Sequence, residues 1–409
     1  MRRSSAQRGG GVRGVAAVTL VLAFAFAYFL SALLRAVTAT LAPAFSTELG
    51  LTSADLGLLA GVYFLGFAAM QLPLGAALDR FGARRVQLVL LVVAAAGCAG
   101  FAQAGGLASL SVARGLTGMG VAACLMAPLT CFRHVFAPTT QLRLNSWMLM
   151  TGSLGMVAST LPVQMLLPLW GWRGLFAVLT VLLSLAVLMI AIFVPNIATS
   201  QPSTAPGRYR DIVRDPTFVA LAPLGFFSYG GLIAMQSLWI GPWLTQVTGA
   251  TAQQSAAGLF GINLAMLLAF MGWGLAMPRL VRSGLQAWHV IAWALPAHLL
   301  MLLAIVALGA QARASHWAAW CVLSSCVTLS QPAIAQAFAP AVAGRALSAF
   351  NLVVFAGVFC VQWSIGVAVD ALMSFGVTRA GSFRIALSVF GVCCALAQSW
   401  FLVQQRRMG

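Results

Sequence analysis

No lysine occurs among the 409 residues, and only six acids do: Glu48, Asp55, Asp79, Asp211, Asp215 and Asp370. Charged residues make up 7% of the chain, too few to coat the surface of a water-soluble fold. All 23 basic residues are arginine, for a net charge of +17. They come in short groups between apolar runs, which argues against a nucleic-acid surface and for the basic loops of a membrane protein. The eight cysteines show no metal-ligand spacing and read as small buried hydrophobes. No nucleotide loop, metal cluster or catalytic dyad is present. The chain therefore reads as a non-enzyme with no cofactor and no metal.

What the sequence has is hydrophobic length: 61% of it is apolar. Runs of about 20 residues, enough for a helix to cross the hydrocarbon, number twelve. The expected limits are 15–43, 54–77, 86–105, 107–130, 144–168, 174–194, 217–242, 254–277, 286–309, 315–338, 346–370 and 382–402. The opening MRRSSAQRGGGVRG precedes too long an apolar run for a cleaved export signal and reads as a basic cytoplasmic tail. One long polar linker separates six spans from six, giving domains 1–194 and 217–409 around a cytoplasmic linker, 195–216. Seventeen loop and tail arginines fall on the side of the termini and four (Arg173, Arg313, Arg379, Arg384) on the other. The expectation is a plasma (bacterial inner) membrane protein with both termini cytoplasmic.

The halves repeat. At a constant offset of 199, Thr52 matches Thr251, Gly75 matches Gly274 and Arg80 matches Arg279. Val163-Gln164 likewise echoes Val361-Gln362. Duplicated halves of this kind are common in secondary transporters.

Between spans two and three stands Gly75-Ala-Ala-Leu-Asp79-Arg80-Phe-Gly82-Ala-Arg84-Arg85. It resembles the loop signature G-x-x-x-D-R-x-G-x-R-[RK] of the major facilitator superfamily. Arg114-Gly115-Leu-Thr-Gly118-Met-Gly120 and Gly171-Trp172-Arg173-Gly-Leu-Phe176 are similar to further patterns of that superfamily. Nearly the whole chain is covered. The resemblance implies an all-α membrane protein of twelve transmembrane helices in two pseudo-symmetric six-helix bundles. It implies alternating access around a central site, with the Asp79 loop as a latch between the halves. The second half has Pro278 where the first has Asp79. The fifth span has Gly152, Gly155 and Pro162 without the G-P-x-x-G-G register of drug–proton antiporters.

In the superfamily helices 1, 4, 7 and 10 line the central cavity, which directs attention to Arg35 and Arg114. Arg35 lies eight residues before Pro43, roughly 12 Å along the helix, and Arg114 seven residues into span four, roughly 10 Å. Two guanidiniums at similar depth with no mid-span carboxylate would attract an anion. Arg114 has an equally good structural reading, paired with carbonyls or with Glu48 or Asp55. Tyr28, Tyr229 and Gln236 stand on the same set of helices as orienting polar groups. Tyr28…Arg35…Pro43 looks like the start of organophosphate–phosphate antiporters, but helix 7 lacks the second base found there, so a monoanion fits equally. His298 reads as a packed neutral histidine. The expected partners are a small-molecule anion, the bilayer, and a proton or counter-anion, with the protein acting as a monomer. The alternatives are an exporter of hydrophobic or cationic compounds and a transporter-like solute sensor without flux.

Overall fold

A computed structural model describes residues 14–196, 209–285 and 287–408. The basic tail with Arg2, Arg3, Arg8 and Arg13, and the linker as far as Arg208, lie outside the described residues. Within them the chain is all α-helical, as hydrocarbon requires: a helix satisfies its backbone internally where no water can. The helices are α1 (Ala16–Leu49), α2 (Ser53–Phe81), α3 (Ala83–Ala102), α4 (Leu107–Val135), α5 (138–170) and α6 (172–193). They continue as α7 (Pro216–Gln246), α8 (Ala252–Met277), α9 (Ala287–Gln311), α10 (Ala314–Ala337), α11 (Val342–Ser374) and α12 (Arg379–Arg407).

The boundary between α5 and α6 is a single residue. The helical run Leu161–Phe193 contains Gly171 at φ 61°, ψ 172°, a left-handed φ that glycine adopts without strain. Between α2 and α3, Gly82 turns the chain in the same way, at φ 80°. α5 is itself broken at Ser159–Thr160, between Pro138–Ala158 and Leu161.

α1 runs six residues past the expected limit at Pro43, to Leu49. A helical proline leaves the carbonyl four residues earlier without its donor, here Ala39. That carbonyl faces α7 at Gly241, where a Cβ would stand 2.6 Å from it, so only glycine allows the two helices this close.

The helices expected to line a central path are the irregular ones. α4 opens into a turn over residues 122–125. α7 carries two π-helical stretches, Leu224–Tyr229 and Met235–Trp239, and α10 a 3₁₀ stretch, Ser325–Leu329. Such interruptions are uncommon in helices and recur at functional sites.

α1–α6 pack among themselves, as do α7–α12, and the groups meet through α2 with α11, α1 with α7, and α5 with α8. An even number of crossings puts both termini at one end of the bundle. At the opposite, far end the groups are in backbone contact: a Cβ on Gly57 would meet Gln362 O at 2.4 Å, and one on Gly366 would meet Ser53 O at 2.3 Å. At the terminal end Gly75, Gly272, Gly274 and Gly344 have open space beside them. The molecule is shut at the far end, where the backbones of the two groups meet.

Candidate functional site

Arg35 sits near the middle of α1, partly buried, 14 residues or roughly 21 Å from the far end of that helix. No carboxylate pairs with it among the described residues. Its guanidinium lies 5.7 Å from the ring centroid of Phe67 on α2, and its Nε is buried without a partner. Phe67 packs 4.6 Å from Phe355 of α11, which also stacks on Phe64 at 6.1 Å. Aromatic faces from both halves therefore flank the cation.

Three tyrosines surround it. Tyr63 on α2 lies beside Arg35 and donates its hydroxyl to Ser31 O at 3.3 Å. Tyr28 lies two turns from Arg35 on the same face of α1, within its electrostatic range. Its ring is admitted by Gly152 of α5, where a Cβ would meet Tyr28 Cε1 at 2.5 Å. Tyr229, from the first π stretch of α7, is within the same range and brings the second half to the site. Arg35, Tyr28 and Tyr229 are thus brought together.

Arg114 and Gln236 lie elsewhere. Arg114 is 1% exposed, inside the first half. It donates to Leu34 O at 3.2 Å and to Thr38 Oγ1, and its guanidinium lies 4.9 Å from the Tyr63 ring and 5.9 Å from that of Phe101. Carbonyl, hydroxyl and π faces hold this cation, with neither Glu48 nor Asp55 involved. Glu48 instead accepts from Trp172 Nε1 at 2.6 Å and pairs with Arg173, and Asp55 caps its own helix. Leu34 and Thr38 bracket Arg35 on α1, so the Arg114 guanidinium packs against the stretch of α1 that carries Arg35. Arg114 lies roughly 10 Å from the far end of α4, and both arginines converge on Tyr63. Gln236 is buried and donates to Asn263 Oδ1 at 2.7 Å, and Asn263 donates to Met156 O at 3.3 Å. Its amide ties α7 to α8 and, through Asn263, to α5 across the two halves.

The signature loop is at the end of the termini. Asp79 is exposed and makes no hydrogen bond or ion pair among the described residues. Arg80 lies 5.1 Å from the Phe81 ring, Arg85 is exposed, and Arg84 donates to Ala191 O of α6. Gly75 stands free of neighbours and Gly82 makes the turn. His298 is buried with Nδ1 donating to Leu295 O at 2.7 Å, a packed ring. Six of the eight cysteines are buried, and no cluster suited to a metal occurs among the described residues.

The sequence alone passed over Phe67, Phe355 and the double engagement of Tyr63. An aromatic pair every three or four residues on α2 was the available signal, but such spacing also describes ordinary core. A separate apolar cavity of about 580 Å³ lies between α7, α11 and α12, lined by Phe226, Ile365, Phe375, Val389 and Phe390 among others. It has no charged lining and is set apart from Arg35.

The family model of the Major Facilitator Superfamily matches residues 24–362. A crystal structure of a bacterial homologue of the human lysosomal transporter Spinster, inward-facing and unoccupied, superposes with a TM-score of 0.79 at 18% identity, covering 97% of this chain and 98% of that one. Its inward-facing, occupied form gives 0.78 at 17% identity over 97% and 98%. A D-xylose–proton symporter gives 0.74 at 14% identity over 93% and 97%. At these identities the likeness is one of fold.

Proposed function

The chain belongs to the Major Facilitator Superfamily, and from that premise we propose that it is a secondary transporter of a small organic anion with an apolar body. The observation that carries the reading is Arg35: a permanent cation at mid-bundle, without a carboxylate partner among the described residues, facing groups from both halves. Keeping such a charge in a membrane is costly, and charges kept there mark functional positions. An incoming carboxylate supplies the missing negative charge and accepts the planar guanidinium's two-pronged donation. Tyr28, Tyr63 and Tyr229 orient it, and Phe67 with Phe355 give its apolar portion a wall. A single mid-bundle cation suits a monoanion better than a phosphate dianion, because Arg114 is enclosed and already bonded.

In this reading the arginine-rich side is cytoplasmic, in a bacterial inner membrane, so the closed far end faces outward. Alternating access rocks the halves about the Arg35 level. With no carboxylate beside the site to relay a proton, coupling rests on the cargo's own proton or on a counter-anion. The protein works as a monomer.

The test is uptake by purified protein in proteoliposomes across a panel of radiolabelled organic acids, phosphate esters and organic cations. A monocarboxylate is expected to be carried, Arg35→Ala to cut its uptake at least about tenfold, the scale of one lost charge-assisted contact, and Arg35→Lys to retain part. Unchanged uptake in Arg35→Ala sinks the assignment.

A further inference from the structure

The start of α2 is completed by a residue of the other half. The first four amide groups of a helix have no acceptor within it. Thr52 and Asp55 form a capping box: Asp55 N donates to Thr52 Oγ1 at 3.2 Å and Thr52 N to Asp55 Oδ2 at 3.0 Å. That leaves the amides of Ser53 and Ala54. Both donate to Asp370, on the last turns of α11: Ser53 N to Oδ1 at 3.2 Å and Ala54 N to Oδ2 at 2.7 Å. The carboxylate thus uses both oxygens on the positive end of a helix from the opposite half, in bonds that are charge-assisted. No ion pair competes for it among the described residues. One turn earlier, Gly366 makes room: a Cβ there would stand 2.3 Å from Ser53 O.

At the other end of the same helix pair the situation is reversed. Asp79, near the C-terminus of α2, is exposed and unpartnered among the described residues. Both α2 and α11 therefore carry a carboxylate close to their C-terminal ends, and in this conformation only the one at the closed face is bonded.

We propose that Asp370 is the latch of the far gate: its two bonds to the N-terminus of α2 hold that face shut, and their release is a required step each time the far side opens. The proposal rests on the alternating-access part of the functional reading and is independent of the cargo. Separating α2 from α11 at this end transfers the Ser53 and Ala54 amides, and the carboxylate, to water. The bonds exist in only one of the two states, so they bias the equilibrium between them.

Hydrogen–deuterium exchange of the full-length protein in lipid nanodiscs, with no ligand added, tests this. Asp370→Ala is expected to shift the ratio of far-open to far-closed molecules by about tenfold. Exchange then rises at residues 50–57 and also at the distant far-end contact of residues 36–42 with 240–246, and falls at residues 79–85. Asp370→Asn, which keeps the shape and one acceptor oxygen, gives a smaller change in the same direction and serves if the alanine variant does not fold. Thr52→Ala removes only the cap internal to α2 and raises exchange at residues 52–56 alone. If Asp370→Ala behaves like Thr52→Ala, or changes nothing, Asp370 is a local cap and the proposal is overturned. Loss of the anion reading through Arg35 would leave this result untouched, so the two failures are distinguishable.

Discussion

Arg35 and Arg114 carry the same guanidinium and meet the same tyrosine, yet their surroundings give them opposite duties. Arg114 is surrounded: two acceptors and two ring faces compensate it inside one half. Removing a buried group bonded through both terminal nitrogens leaves its partners' bonds unmade and a cavity behind. Arg114→Ala is therefore expected to lower the melting temperature by several degrees in a detergent-based thermal assay, and Arg114→Met, which refills the volume, to recover much of the loss. Arg35→Met removes a charge with no carboxylate partner and is expected to leave the melting temperature equal or higher. If Arg114→Ala melts like the wild type while losing cargo response, the roles assigned to the two arginines are exchanged. In the sequence Arg35, Tyr28 and Tyr229 were legible as a set because the superfamily's helix order says which helices face inward. The places of Arg114 and Gln236 were not. Their partners, Leu34 and Thr38 for one and Asn263 for the other, become neighbours only through packing between helices, and a residue's own helix does not disclose them.

At the scale of elements, the turns were legible and the irregular helices were not. Gly82 and Gly171 stand between apolar runs, and their left-handed φ values are what such glycines permit. Pro43 reads as the end of α1, but the helix continues through it to Leu49, and the carbonyl it frees, that of Ala39, lies where α7 approaches at Gly241. The π stretches of α7 have no signature of their own in a sequence that simply reads as apolar. The glycine contacts of α2 with α11 make a sharper statement about mechanism. At Gly366 a side chain would collide with backbone, which cannot swing aside as a flexible side chain can. Gly366→Leu is expected to prop the far gate open: exchange at residues 36–42 and 240–246 rises as in Asp370→Ala, without any change in charge. Wild-type exchange in those segments would show that the close approach is incidental to closure.

For the molecule as a whole, two groups of six helices meet in backbone contact at the far end, with Arg35 at mid-depth of the first. The duplicated register, the signature loop and the span count announced that architecture before any coordinates. The conformation was beyond the sequence, since a chain that works by exchanging two states encodes both. The bonds of Asp370 and the close glycine contacts mark the far face as closed. The central claim is that Arg35 makes this an anion carrier, and the most direct measurement is a thermal-shift panel on wild type and Arg35→Met side by side. A ligand that binds the folded form raises its stability in proportion to the logarithm of its occupancy term. The expected result is that organic monocarboxylates raise the wild-type melting temperature in a concentration-dependent way, phosphate esters and organic cations do not, and no compound raises that of Arg35→Met. Stabilisation by cations, or an equal response of both proteins to the carboxylates, would contradict the account.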